Sequence, residues 1–243
     1  MTVAHHIIGL CGLAGTGKDT VADVLVAHAG FRKLAFADAL RAEVADAFGE
    51  EPLLFTRRET KDTPHPRLTL RRAPVGFTGA VIVWLGLDKL PGQSVNEFID
   101  TPRSPRQMIQ WWGTEYRRRQ HPDYWVRQLT ARINHYMTDG ERRFVITDCR
   151  FDNEVAALRL PCYHSQLWRV ARPGITQANT TEGGHTSAND GSAFGPDHTI
   201  HNQGTVHHLR DKVLAAWWAW ECGLPQSSLA VQITDTDAAE VPA

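Results

Sequence analysis

The sequence predicts an α/β protein in which a parallel β-sheet lies between two layers of helices. Three observations lead to this fold class. The apolar run Ile7–Cys11 leads into a glycine-rich turn and then into residues with helical spacing, the order that opens an α/β unit. Further apolar runs over 144–147 and 167–171 alternate with helical patterns. The length of 243 residues suits one domain that carries an insertion.

The first half of the chain is predicted to contain two helices and an irregular segment. The helix after the glycine turn is followed by a short strand over 32–36 and by a second helix to Phe48, with Asp38 as its N-cap. The stretch 50–102 contains many of the prolines and one hydrophobic island at 80–85. We therefore interpret it as an irregular insertion over the core.

The second half continues the alternation of helices and strands. Ser104 and Pro105 are a typical N-cap and first-turn pair, so a helix is expected to run through Arg119. A polar segment, 173–197, is expected to form a mobile lid, and residues 226–243 a flexible tail. A single domain would then span residues 1–225. The other predicted elements are a helix over 121–138, a strand over 144–147, a helix over 154–160, strands over 167–171 and 199–200, and a helix over 206–220.

Composition excludes several classes of protein. No run of about eighteen apolar residues occurs, so no membrane-spanning helix is expected, and the N-terminal segment lacks the basic leader of a signal peptide. The four cysteines form no CxxC pair, which favours a reduced, cytoplasmic protein. Because the formal net charge is -1, nucleic-acid binding would need a local basic patch, and stable binding is not expected. A homodimer is compatible with the sequence.

The most specific local motif is Gly12-x4-Gly17-Lys18, a phosphate-binding loop between a predicted strand and a predicted helix. Glycines allow backbone N–H groups to surround phosphate oxygens, the helix N-terminus adds partial positive charge, and Lys18 adds a full charge. The residues of this region expected to contact the donor nucleotide are Gly12, Ala14, Gly15, Thr16, Gly17, Lys18 and Thr20.

Asp19 occupies the position where the usual motif has Ser or Thr, and Thr20 follows one place later. This shift resembles the loop of nucleoside monophosphate kinases. It leaves Thr20 as a phosphate or Mg²⁺ contact and Asp19 as a carboxylate that acts on the metal through water. The alternative, equally compatible with the sequence, is that Asp19 only stabilises the positive end of the helix.

Several further short motifs follow in a defined order. They are Gly17-Lys-Asp-Thr-x-Ala-Asp23, Arg106-x3-Gln110-x2-Gly113-Thr-Glu115, Asp123-Tyr-Trp-Val126, Asp148-x-Arg150-x3-Glu154, Arg172-Pro-Gly174, His185 and Ile200-x-Asn202-x-Gly204-Thr205. Together they resemble the bacteriophage-type deoxynucleoside monophosphate kinases, members of the P-loop nucleoside monophosphate kinase group. The resemblance covers most of the chain outside 50–102 and the tail. It implies a three-layer P-loop kinase fold with an acceptor-binding insertion and a lid.

The resemblance also implies a reaction. The γ-phosphoryl group of ATP, bound with Mg²⁺, would be transferred to a deoxynucleoside monophosphate (dNMP) to give the diphosphate for DNA precursor synthesis. Such a transfer requires alignment of two polyanions and neutralisation of their charge. The resemblance assigns catalysis to Lys18, Asp19, Asp148 and Arg150, acceptor binding to Arg41, Arg106, Gln110, Trp125 and Arg150, and donor binding to Arg172, Asn202 and Gly204.

Alternatives remain open at several of these positions. Any single arginine could be a solvated surface charge, and Asp148 could orient metal-bound water or cap a turn. Gln110 could pair with a base edge, whereas Trp125 offers a flat face to a base but follows a helical pattern typical of core residues. The triplet Arg117-Arg118-Arg119 is interpreted as a solvated helix end.

Three competing functions also fit parts of the sequence. The first is a kinase of another small phosphorylated acceptor, of the phosphomevalonate or dephospho-coenzyme A type. The second is a nucleotide-dependent switch or DNA-associated ATPase, for which the arginine triplet 117–119 is the only compact basic stripe. The third is a protein that kept the fold and lost the chemistry, against which intact Lys18, Asp19, Thr20 and Asp148 argue.

Overall fold

A five-stranded parallel β-sheet forms the centre of the protein. The computed structural model describes residues 5–57, 59–89, 92–176 and 191–224. Every neighbouring pair of strands is parallel, and their order across the sheet is β2-β3-β1-β4-β5. The strands are β1 (His6–Cys11), β2 (Arg32–Leu34), β3 (Arg143–Ile146), β4 (His164–Ala171) and β5 (His198–His201).

Helices connect the strands and cover both faces of the sheet. The α-helices in the described ranges are α1 (Lys18–Ala29), α2 (Phe36–Phe48), α3 (Val75–Trp84), α4 (Gly92–Asp100), α5 (Pro105–Gln110), α6 (Tyr124–Thr138), α7 (Asp152–Leu158) and α8 (Val206–Glu221). Parallel strands need crossover connections, and α1, the helices α2 to α6, and α7 lie in the connections from β1 to β2, from β2 to β3 and from β3 to β4.

Alternate strand residues enter two separate apolar cores, which gives the protein three layers. In β1, Ile7 packs into the core shared with α2, α5, α6 and α7, whereas Ile8 packs into the core shared with α1 and α8. In β3, Phe144 and Val145 divide in the same way. This alternation follows from the two-residue period of a strand, and it requires apolar side chains at successive positions of a sheet covered on both faces. The predicted three-layer α/β fold is therefore confirmed.

The start of α2 differs from the sequence-based expectation. The strand β2 ends at Leu34, Ala35 is the N-cap, and Phe36 is already helical. Asp38 is the third helical residue and accepts a hydrogen bond from the backbone N–H of Ala35 at 3.0 Å. An acidic side chain at this position satisfies the N-cap amide by reaching backwards, as in a capping box. The prediction of Asp38 as the N-cap was wrong for this reason.

The segment 50–102 is more regular than predicted. It contains α3, α4 and three short 3-10 helices, and the hydrophobic island at 80–85 is mostly the second half of α3. Phe77 of α3 is fully buried, and its ring centroid lies 4.6 Å from that of Trp112. Pro74 directly precedes α3, so this proline bounds a helix instead of disrupting one.

The helix predicted from Ser104 to Arg119 has two parts. The Ser104 hydroxyl oxygen accepts a hydrogen bond from the backbone N–H of Gln107 at 3.2 Å, which confirms the predicted N-cap. After α5 the chain continues without a break as a π-helix over Trp111–Arg118. Segments of π-helix are rare and are frequently found at functional sites.

Two predicted segments lie wholly or partly outside the described residues. Of the expected lid, 173–197, residues 177–190 are outside, and so is His185; the tail 226–243 is outside as well. Among the helices that the structure describes, none combines the length and apolarity needed to cross a bilayer.

Candidate active site

The carboxyl ends of the five described strands open into one cleft of about 940 Å³. It is lined by Gly15 after β1, Ala35 after β2, Asp148 after β3, Arg172 after β4 and Asn202 after β5. This edge is where open α/β sheets bind ligands. The volume is close to the upper end of the range of about 300–1,000 Å³ found for ligand pockets. The cleft is therefore large enough for more than one small ligand.

The phosphate loop between β1 and α1 depends on its glycines. Gly12, Gly15 and Gly17 have φ values of 131°, 84° and 102°, a region that other L-residues rarely adopt. A Cβ atom on Gly12 would overlap the carbonyl oxygen of Val170, and one on Gly17 would overlap the side-chain amide of Asn202. The loop is thus pressed against the ends of β4 and β5, where only glycine fits.

The backbone amides of the loop are available to an anion. The N–H groups of Ala14, Gly15 and Gly17 donate no hydrogen bond to any other residue in the described ranges. The N–H of Thr16 is not available in this way, because it donates to the carbonyl oxygen of Leu13. The Thr16 hydroxyl donates to the same oxygen at 2.9 Å, and the residue is only 2% exposed. Thr16 thus stabilises the shape of the loop, while its neighbours present donors to the cleft.

The charged groups at the start of α1 lie along the same wall. The Lys18 ammonium crosses the loop and donates to two of its carbonyl oxygens, at 2.6 and 2.8 Å. The Asp19 carboxylate forms an ion pair with Lys33 at 3.1 Å. Both residues line the cleft, and so does Thr20. Lys33, which the sequence did not single out, is therefore an ion-pair partner of Asp19 in the cleft lining.

Asp148 connects the end of β3 to the start of α2. Its two carboxylate oxygens accept hydrogen bonds from the backbone N–H groups of Phe36 at 2.8 Å and Ala37 at 2.9 Å. Burial raises the pKa of Asp148, and these two hydrogen bonds together with Arg150 and Arg41 oppose that shift. The carboxylate thus binds the first amides of a helix, as the capping alternative expects, and its catalytic role stays a prediction.

Basic side chains dominate the cleft. Eight basic and four acidic residues line it, which leaves a formal excess of four positive charges in a protein whose overall charge is -1. A cleft with one dominant sign of charge concentrates ligands of the opposite sign, such as phosphates. The basic residues are Lys18, Lys33, Arg41, Lys61, Arg106, Arg118, Arg150 and Arg172.

Carboxylates from separate parts of the chain hold two of the cleft arginines, Arg41 and Arg106. Arg41 lies 3.4 Å from Asp38 in the same helix. The Arg106 guanidinium donates to Asp62 at 2.5 Å. A guanidinium held in this way loses little further freedom when it binds a phosphate.

Gln110 and Trp125 occupy different environments. Gln110 lines the cleft, and its side-chain amide has no hydrogen-bond partner within the residues described. Trp125 is only 2% exposed, and its indole N–H donates to the carbonyl oxygen of Gly113 at 3.1 Å. Its ring therefore offers almost no surface on which a base could stack. Trp125 also belongs to the cleft lining, so its burial favours the core alternative, and contact with a base stays a prediction.

Asn202 and its neighbours form the side of the cleft next to β5. The Asn202 side-chain amide donates to the carbonyl oxygen of Thr16 at 2.7 Å, and its backbone N–H donates to Ala171 at the same distance. The resemblance assigned this residue to donor binding, which stays a prediction; in the structure its side chain holds the phosphate loop. Arg172 is exposed at the end of β4, and Gly204 has a φ of 88°.

Arg118 and Lys61 are cleft residues that the sequence analysis missed. The three arginines of the triplet diverge: Arg117 pairs with Glu43 of α2, Arg118 with Glu154 of α7, and Arg119 with Glu115. Consecutive helical residues are about 100° apart, so spacing alone gives no indication of which arginine faces a ligand. Lys61 lies in the 50–102 segment, where no motif marked it.

Comparison with known proteins gives few similar chains. No family model matches the sequence. The chain is 27% identical over 191 residues to the "Putative deoxynucleotide monophosphate kinase" of Acanthamoeba polyphaga mimivirus, across 72% of this chain and 78% of that protein. Among solved structures, the dephospho-CoA kinase of Campylobacter jejuni has a TM-score of 0.42 and 10% identity, and the match covers 88% of this chain and 96% of that one.

Proposed function

We propose that the protein is an ATP-dependent deoxynucleoside monophosphate kinase. One observation carries the proposal: the phosphate-loop amides and Lys18 share a single positively charged cleft with Arg41, Arg106 and Arg118. Two groups of phosphate ligands within one cleft fit a reaction between two phosphorylated substrates. The similarity to the mimiviral protein supports a deoxynucleotide as the acceptor.

The donor side fits the triphosphate of ATP. The Ala14, Gly15 and Gly17 amides would bind phosphate oxygens, and Lys18 would exchange its two carbonyl partners for phosphate oxygens. Thr20 supplies a hydroxyl ligand suited to Mg²⁺, and Asp19 lies beside it as a carboxylate that acts through water. When bound, the ion would neutralise charge on the phosphates. Arg172 and Gly204 complete this side of the cleft.

The acceptor side fits a nucleoside monophosphate. Arg41, Arg106 and Arg150 would hold the acceptor phosphate, and the Gln110 amide would donate to and accept from a base edge. An oxygen of that phosphate attacks the γ-phosphorus of ATP, the bond from γ-phosphorus to the β,γ-bridging oxygen breaks, and ADP leaves. The protein contributes alignment and charge neutralisation. We place this activity in DNA precursor synthesis for bacteriophage replication, in the cytoplasm of the host.

A coupled assay of ADP release tests the proposal. Purified protein is incubated with ATP and Mg²⁺ and with dAMP, dCMP, dGMP or dTMP, next to a reaction without acceptor and one with dephospho-coenzyme A. We expect ADP release to depend on at least one of the four dNMPs. Release stimulated only by dephospho-coenzyme A would overturn the nucleotide acceptor, and release independent of any acceptor would indicate an ATPase.

A further inference from the structure

Arg118 is held at the cleft by an acidic residue that is almost completely buried. Glu154 is 2% exposed, and one of its carboxylate oxygens accepts a hydrogen bond from Arg118. The other oxygen accepts hydrogen bonds from the backbone N–H groups of Arg150 at 2.7 Å and Phe151 at 3.2 Å. The Arg118 guanidinium also lies 3.8 Å above the centre of the Phe151 ring. A single carboxylate therefore fixes both Arg118 and the loop that carries Arg150.

The environment of this pair is not that of an ordinary core ion pair. Arg118, Phe151 and Glu154 all line the cleft. The guanidinium has five N–H donors, and in the described part of the chain only Glu154 and the carbonyl oxygen of Pro122 accept from it. A buried ion pair contributes little to stability once its desolvation is counted, so stability alone is a weak reason for this arrangement.

Arg118 is connected to elements on both substrate sides of the cleft. Arg118 ends the π-helix that continues from α5, which carries Arg106 and Gln110 on the acceptor side. Glu154 ties it to the loop after β3, and β3 is paired directly with β1, the strand that leads into the phosphate loop. Arg118 is thus connected both to the helix that carries the acceptor-side residues and, through Glu154 and β3, to the strand that leads into the phosphate loop.

We propose that Arg118 binds the acceptor phosphate and that Glu154 is the positioning residue that aims it. This inference rests on the proposed kinase function and adds to it a phosphate ligand outside the motifs of the sequence. The remaining N–H donors of Arg118 bind phosphate oxygens while Glu154 keeps the guanidinium plane fixed. Glu154 does not contact the substrate, and its effect on the reaction passes through Arg118 and the Arg150 loop.

Steady-state kinetics of four variants test this inference. The variants are Arg118→Met, Arg118→Lys, Glu154→Gln and, as the matched control, Arg119→Met, whose side chain is 58% exposed and pairs with Glu115. The acceptor is whichever of dAMP, dCMP, dGMP and dTMP the wild-type protein uses best, and KM is measured for that acceptor and for ATP. Binding of the same dNMP without ATP is measured by calorimetry.

Loss of one charge-assisted contact raises the acceptor KM and Kd of Arg118→Met by about tenfold or more. The ATP KM stays within about twofold, since the donor ligands are untouched. Arg118→Lys keeps the charge without the planar fork and gives an intermediate value. Glu154→Gln also raises the acceptor KM and leaves the ATP KM unchanged. A general loss of stability would not affect one substrate selectively. Circular dichroism and thermal unfolding show whether each variant is folded. If Arg118→Met does not fold, the acceptor KM and Kd of Arg118→Lys test the inference.

Different outcomes would overturn the kinase function and the role of Arg118. If the wild-type protein phosphorylates none of the four dNMPs, the proposed function is wrong and this inference falls with it. If the wild-type protein is active but Arg118→Met and Arg118→Lys match Arg119→Met in acceptor KM and Kd, the kinase assignment stands and the role of Arg118 is overturned. Equal rises in the KM of acceptor and ATP also overturn it.

Discussion

The side-chain amide of Asn202 donates a hydrogen bond of 2.7 Å to the backbone carbonyl oxygen of Thr16. This bond joins the end of β5 to the middle of the phosphate loop, two segments that are 186 residues apart in sequence. The same amide would overlap a Cβ atom on Gly17. Asn202 and Gly17 therefore fix the loop in the shape in which its free amides face the cleft.

Removal of the Asn202 side chain should weaken ATP binding. A typical hydrogen bond contributes about 1 kcal/mol, so Asn202→Ala should raise the ATP KM by about fivefold while the acceptor KM changes little. Steady-state kinetics at saturating acceptor measure the effect. Asn134→Ala on the exposed face of α6 is the matched control, and its ATP KM should equal that of the wild-type protein. An ATP KM of Asn202→Ala that also equals the wild-type value contradicts the role given to this bond.

A methyl group on Gly17 should damage the loop. Gly17→Ala combines the overlap with Asn202 with a φ of 102°, which costs an L-residue about 1–2 kcal/mol. We expect lower stability and an ATP affinity too weak to measure by calorimetry. Gly79→Ala in α3 is the control, because its Cβ meets no atom within 4 Å; it should stabilise the protein by about 0.5–1 kcal/mol and leave ATP binding unchanged. Normal ATP binding by Gly17→Ala would show that the loop is not constrained as described.

Asp148→Asn should destabilise the fold as well as reduce turnover. The amide group retains only one acceptor oxygen, so one of the Phe36 and Ala37 N–H groups loses its partner at the start of α2. The expected loss is about 1–3 kcal/mol in the free energy of unfolding, measured by urea denaturation. Asp152→Asn, at an exposed position, should stay within about 0.5 kcal/mol of the wild-type protein. Wild-type stability of Asp148→Asn would mean that the carboxylate is needed only for chemistry.

The raised pKa of Glu154 should make the stability of the protein depend on pH. Burial raises its pKa to about 7 in the folded protein, against 4.5 as the usual value, although Arg118 and the Arg150 amide oppose the shift and Asp148 adds to it. Between pH 4.5 and pH 7 the unfolded chain has released the Glu154 proton, whereas the folded protein still binds it. The free energy of unfolding of the wild-type protein therefore decreases as the pH rises through this range. Glu154→Gln has no such proton. Its Tm minus the wild-type Tm should therefore increase between pH 5 and pH 8, and a constant difference would contradict the raised pKa.

Features encoded by consecutive residues were predictable from the sequence. The strand, glycine turn and helix around Lys18 are contiguous, and so is the Ser104 cap of α5, so local patterns were sufficient to predict them. The strand β3 and the acidic residue after it were found in the same way. Each of these depends on backbone preferences and hydrophobic periodicity that act within about a dozen residues.

Features that depend on tertiary packing were not predictable. The direction of Arg118 is set by Glu154 on a different helix, and burial of Trp125 is set by its contact with Gly113. The two backbone N–H groups that donate to Asp148 belong to residues more than 100 positions earlier in the chain. In 50–102 the prolines suggested irregular chain, yet α3 begins directly after one of them. For Arg118 and Asp148 the deciding partner is distant in sequence, 36 residues away for Arg118 and more than 100 for Asp148.

Direct detection of the phosphorylated product tests the central claim most sharply. The protein is incubated with Mg²⁺, ATP labelled at the γ-phosphate and each dNMP in turn, and the nucleotides are separated by chromatography. We expect label in a deoxynucleoside diphosphate with the wild-type protein, and a loss of at least about a hundredfold in rate with folded Lys18→Ala, since that change removes charge stabilisation at the transferring group. Label found only in inorganic phosphate, or equal transfer by Lys18→Ala, would contradict a dNMP kinase built on this cleft.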